Sequence, residues 1–167
     1  MMKRNIPQIE NSASAPLQSK SNPSQRILMV EDDRDIRRFN AEKLINSGYH
    51  VDAVKDGAAA WDALQLNRYN LLITNQYLPK VSGVELLYKI HEARMSLPII
   101  MATRNLPTWE FTLHPWLQLA TMLLKPYTCE KLLGTVKNVL YAAVSARQDI
   151  APPSNWQSQP SAVALQL

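Results

Sequence analysis

Five short apolar runs, each followed by a stretch with helical spacing, leave this chain few ways to fold. Residues 27–30 are an unbroken Ile-Leu-Met-Val, after which Ile36, Phe39, Leu44 and Ile45 recur at helical intervals until Gly48 ends the segment. Residues 50–55 predict a second strand, and Asp56 and Gly57 open an alanine-rich helix that runs past Trp61 and Leu64. Residues 70–74 predict strand three. Ser82 and Glu85 have capping-box spacing, in which hydroxyl and carboxylate satisfy each other's free N–H groups, so helix three starts there and runs to about Ala93. Residues 98–102 and 121–124 predict strands four and five. Cys129, Leu132, Leu133, Val136, Leu140 and Ala143 share one face of a last helix, with Thr128 as its N-cap. Strands that are apolar on both faces and alternate with amphipathic helices imply an α/β protein: a doubly wound, five-stranded parallel sheet of order 2-1-3-4-5, with helices on both faces.

The flanks contrast with this pattern. Residues 1–25 and 146–167 are rich in Pro, Ser and Gln without hydrophobic periodicity, so they predict disordered tails around one domain at 26–145. The +4 net charge does not mark a nucleic-acid binder, because 26–145 holds 14 Lys and Arg against 12 Asp and Glu, with no basic cluster interleaved with aromatics. No apolar run reaches membrane-spanning length, no secretory leader opens the chain, and a lone Cys129 forms no internal disulfide. The expectation is a cytoplasmic protein with no membrane and no nucleic-acid partner.

In a sheet of this order a site forms beyond the carboxyl ends of the strands, where the strand order reverses. The residues expected there are Glu31-Asp32-Asp33, Asn75, Thr103 and Lys125-Pro126. Together with Leu78-Pro79-Lys80-Val81-Ser82-Gly83, these segments resemble the receiver domains of bacterial two-component response regulators, including the chemotaxis response regulator, over residues 26–145. The resemblance implies a flavodoxin-like receiver standing alone between its tails. It implies that Glu31, Asp32 and the backbone carbonyl of Tyr77 hold Mg²⁺, that Lys125 and the Thr103 hydroxyl contact a phosphoryl group, and that no organic cofactor is used. The acidic cluster alone reads equally well as helix-cap and first-turn carboxylates, and Lys125 as an ion-pair partner of Asp32.

The chain departs from the receiver pattern where chemistry matters most. The phosphoacceptor position, an aspartate in receivers, is Asn75, whose neutral amide is a poor nucleophile and weakens the attraction for Mg²⁺, so any metal binding is expected to be weak. Arg104 follows the switch threonine where a small residue is usual; its guanidinium is either a solvated loop group or a gate reaching the acidic pair. Met122 stands where an aromatic is usual and reads as core filling. Between Thr103 and Lys125, Pro115 predicts that helix four is short, ending at or before His114. Trp109, Phe111 and Trp116 lie in the same stretch, either turned into the core or part of an output face made by helix four, strand five and helix five. His50, His91 and His114 share no spacing and read as structural.

The expected function is signal transduction by protein contact with a histidine kinase, a phosphotransfer protein or an effector. The domain is expected to be a pseudo-receiver and not an enzyme. Two alternatives remain: phosphotransfer through Asp33 or through a deamidated Asn75, and a small nucleotide- or flavin-binding enzyme, which the lack of a glycine-rich phosphate loop disfavours.

Overall fold

The computed structural model describes residues 25–105, 117 and 119–148. Strands β1 (Arg26–Val30), β2 (His50–Val54), β3 (Leu71–Asn75), β4 (Ile99–Thr103) and β5 (Thr121–Leu124) form one sheet of order β2-β1-β3-β4-β5, and every pairing is parallel. The helices are α1 (Arg34–Asn46), α2 (Gly57–Leu66), α3 (Gly83–Glu92) and α4, the helix after β5 (Cys129–Gln148). The flavodoxin-like topology read from the sequence is the one observed.

Alternation along the strands divides the core into two layers, because successive side chains leave a strand on opposite faces. Leu28, Val30, Leu72 and Met101 pack on one face with Ala60 and Leu64 of α2 and with Leu86, Leu87 and Ile90 of α3. Ile27, Met29, Leu71, Ile73, Ile100 and Leu123 pack on the other with Leu44 of α1 and with Leu132, Val136 and Leu140 of α4. Caps place the helix starts. Asp33 Oδ1 accepts from the N–H groups of Asp35 and Ile36, Asp56 caps α2 through Ala59, and the Ser82–Glu85 capping box forms at α3.

Strands three and four each sit one residue further along than the sequence reading placed them. Asn75 and Thr103 lie in the strands rather than after them, because the ladder continues through polar residues: Asn75 registers with Ala102, and the Lys125 N–H donates to the Thr103 carbonyl. α4 runs through Gln148, beyond the boundary at 145, so Ala146 and Arg147 are helical rather than tail. Met122 is half-buried on the edge strand β5 and not a core residue. The expected short helix four with Trp109, Phe111, His114, Pro115 and Trp116, and the two expected tails apart from their few residues next to β1 and in α4, lie outside the described residues. No helix among the described residues is long and apolar enough to cross a membrane.

Candidate functional site

Four strand ends converge on a pocket of about 270 Å³, lined by Glu31, Asp32, Asn75, Tyr77, Thr103 and Lys125 among others. Glu31 follows β1 and is 4% exposed; its backbone N–H is held by Val54 O at 3.1 Å. Arg37 of α1 reaches back to donate to the backbone carbonyls of Glu31 (2.7 Å) and Asp32 (3.1 Å), which fixes the two acidic residues relative to the helix. Asn75, also buried, ends β3 beside them. Its Nδ2 donates to Glu31 Oε1 at 2.6 Å and to Asp32 Oδ1 at 3.0 Å. Lys125 Nζ donates to Glu31 Oε2 at 2.7 Å.

These contacts decide the electrostatics. Glu31 has an N–H donor on each oxygen, and Lys125 pairs with Glu31 rather than with Asp32, the partner expected from the sequence. Burial by itself pushes the Asp32 carboxyl up, but hydrogen bonding from Asn75 leads the opposing influences, Lys125 adds its charge, and the carboxyl is held below its usual value. A hard dication such as Mg²⁺ needs a shell of oxygen ligands. Here an amide NH₂ and an ammonium occupy that side of the acidic pair, and among the described residues no group of three His, Cys, Asp or Glu is placed to hold a metal. The arrangement as it stands does not fit Mg²⁺. Tyr77 is among the residues lining the pocket and is exposed.

Arg104, which reads from the sequence as either a solvated loop group or a gate, lines the pocket. It is exposed at the pocket rim, and among the described residues it forms no salt bridge with Glu31 or Asp32. Asn75 bonds both carboxylates and the part-buried Lys125 bonds Glu31. Asp33, the alternative acceptor, commits one carboxylate oxygen to capping α1. Two residues absent from the sequence reading complete the site. Arg37 was hidden because any exposed helix carries arginines. Gln76, buried at 6%, had a signal: it is a second polar residue directly after an apolar strand.

The loop from β3 to α3 is held against the start of α2. Lys80 Nζ pairs with Asp56 Oδ2 at 2.8 Å, and Lys80 itself sits at φ 67°, in the left-handed region. The hydrogen bond from Lys80, followed by that from the Ala59 N–H, holds the Asp56 carboxyl below its ordinary value of 3.8. A carboxyl with a depressed folded pKa stabilises the fold fully above its unfolded pKa and loses that contribution as pH falls through the folded one. Lys80→Met keeps the side-chain length but removes the cation. It is expected to melt below the unmodified protein near neutral pH, with the gap closing as pH falls below the ordinary carboxylate range. Melts across that range check this, and a gap that stays constant would count against it.

A doubly wound parallel sheet with an acidic pair after β1 and a lysine after β5, meeting at the end of β3, defines the class of response-regulator receivers. Residues 27–137 match the response regulator receiver domain, and the chain belongs to that family. It is 34% identical over 122 residues to the response regulator receiver protein CpdR of Brucella abortus, an alignment covering 71% of this chain and 99% of that protein. It is 30% identical over 115 residues to the response regulator ArlR of Staphylococcus aureus, covering 69% of this chain but 52% of ArlR. Among solved structures, a CheY-like receiver from Methanospirillum hungatei superposes with a TM-score of 0.69 at 25% identity, covering 74% of this chain and 99% of that one. The chemotaxis protein CheY4 of Vibrio cholerae gives 0.65 at 25% identity, covering 70% and 99%. Receivers of this family are signalling modules of two-component systems that meet histidine kinases, phosphotransfer proteins and effectors, and they bind Mg²⁺ at the phosphorylation site.

Proposed function

We propose that this domain is a pseudo-receiver: it works in two-component signalling through protein contact, and its output is not set by phosphorylation at residue 75. The observation that carries this reading is the Asn75 amide donating to both Glu31 and Asp32. In a receiver the residue at this place is the nucleophile, and the acidic pair binds the metal that neutralises the incoming phosphoryl group. Here the residue is an N–H donor, it bonds the carboxylates that would hold the metal, and Lys125 is taken up by Glu31. The site residues then have changed roles. Glu31, Asp32, Asn75 and Lys125 form a hydrogen-bonded knot in which Lys125 offsets one of the two carboxylate charges, while Thr103 keeps its place beside it. No catalysis and no organic cofactor are assigned to the domain, and its place is the cytoplasm.

The partners are a histidine kinase, a phosphotransfer protein or an effector. The face we assign to them is β5 with α4 and the segment between β4 and β5, supported by the exposure of Leu124, Tyr141 and Val144. The decisive test is intact mass after incubating the full chain with acetyl phosphate and Mg²⁺. The expected spectrum shows no phosphoryl adduct; a stoichiometric, base-labile adduct on the unmodified protein would overturn the reading.

A further inference from the structure

A second polar knot lies beside the first and involves none of its charges. The Thr103 hydroxyl, on a residue only 3% exposed, is 2.7 Å from Gln76 Oε1 and 2.6 Å from the Asn105 carbonyl oxygen, and the Asn105 N–H points back at it from 3.3 Å. The backbone of Gln76 is fixed on both sides: its N–H donates to Ala102 O at 3.2 Å, and its carbonyl accepts from the Gly83 N–H at 2.9 Å. Its buried side chain therefore projects from a rigid node where β3, β4 and the start of α3 meet. Thr103, in contrast, is the last residue of β4, and the chain leaves the sheet through Arg104 and Asn105.

We propose that Gln76 is a positioning residue that pins Thr103 and, through it, sets the path of the chain as it leaves β4. A threonine hydroxyl has one proton and two lone pairs. Its proton is shared between two acceptors, Gln76 Oε1 and the Asn105 carbonyl, and the Asn105 N–H uses one lone pair. An acceptor entering the pocket therefore reaches the Thr103 proton only by displacing both of these oxygens from it. Burial raises the stakes, because a hydroxyl or amide left unpaired away from water costs more than the bond itself contributes. The residue that the receiver resemblance makes a reporter of occupancy is thus occupied by a side chain of its own domain. The inference goes beyond the proposed function: it concerns the conformation at residues 103–105 whether or not residue 75 accepts a phosphoryl group, and its test uses no phosphodonor.

Amide hydrogen exchange on the full chain reads the effect residue by residue. Gln76→Met keeps length and approximate volume but removes the amide; Thr103→Val removes the hydroxyl. In Gln76→Met the amides of Arg104 and Asn105 are expected to exchange between about five- and a hundredfold faster, with those of Leu28 and Ile73 in β1 and β3 unchanged. Thr103→Val, which also removes the acceptor of the Asn105 N–H, is expected to speed exchange at Asn105 at least as much, and adding Gln76→Met to it is expected to bring little further change, because the glutamine then has no hydroxyl to hold. Three results would each overturn the proposal: unaltered exchange at Asn105, independent effects of the two substitutions, or equal acceleration in β1 and β3. If Gln76→Met does not fold, Gln76→Asn, one methylene too short to reach Thr103, is read in the same way. Faster exchange confined to 104–105 then supports the pin, and unchanged exchange refutes it.

Discussion

Asn75→Asp is expected to lower the melting temperature in the absence of metal and to recover it when Mg²⁺ is added. The substitution replaces an NH₂ lying 2.6 Å and 3.0 Å from two carboxylates with a third carboxylate, and Lys125, the one cation paired with these carboxylates among the described residues, can offset one of the three charges. Two hydrogen bonds become two repulsions. From the cost of unpaired buried charge we expect a loss on the order of 3 kcal/mol, or roughly 10 °C for a domain of this size. The same third carboxylate strengthens the pull on a hard dication, so Mg²⁺ is expected to reverse much of that loss, whereas it leaves the unmodified protein nearly unmoved. With the nucleophile restored, acetyl phosphate is expected to add one base-labile phosphoryl group at residue 75, the carboxylate oxygen attacking phosphorus as acetate leaves. Paired melts with and without Mg²⁺, together with intact masses, test all of this. A variant that neither gains metal affinity nor takes a phosphoryl group would show that the pocket has lost more than its nucleophile.

A larger loss is expected from Gly83→Ala. The added Cβ would stand 2.0 Å from the Asn75 carbonyl oxygen and 3.0 Å from its carbon, both backbone atoms at the end of β3. Neither side can yield cheaply, since the Gly83 N–H is bonded to Gln76 O and β3 is paired on both edges. Overpacking against backbone costs about 3 kcal/mol or more, enough to unfold much of the protein at physiological temperature. Gly134→Ala is the control with the opposite sign. Nothing lies within 4 Å of the Cβ it would add inside α4, so the helix is expected to gain about 0.5–1 kcal/mol from the better helix former. Denaturant melts of both variants suffice; a mild effect at Gly83 would mean that α3 can slide along β3, and the site geometry with it.

The order of strands and helices was legible because parallel strands buried on both faces read as unbroken apolar runs, and because Asp33, Asp56 and Ser82 are cap residues with readable spacing. The strand ends were less legible. Asn75 and Thr103 are polar and read as the start of loops, yet hydrogen-bond pairing with neighbouring strands carries the ladder through them. Glu31, Asp32, Asn75, Thr103 and Lys125 line one pocket, where Lys125 pairs with Glu31 rather than with Asp32, the partner expected from the sequence. Whether an asparagine presents its oxygen or its NH₂ is decided by the charges around it in space, and the sequence does not show that Glu31 and Asp32 both face Asn75. Gln76 had a signal as a second polar residue directly after an apolar strand, but that it meets the Thr103 hydroxyl is a property of packing rather than of sequence.

The Glu31–Lys125 pair also has a bearing on how the chain is made. Its partners are 94 residues apart, and the acidic member comes first. At a synthesis rate of about 5–20 residues per second, the carboxylate waits on the order of ten seconds for its cation to be added. During that interval β2, β3 and β4 are made in turn, and the last side of the pocket waits for β5. A nascent chain can therefore form the first strand pairs early, while the Glu31–Lys125 pair forms only after β5 has joined β4. Any truncation before Lys125 leaves Glu31 without the ammonium that faces it in the finished domain.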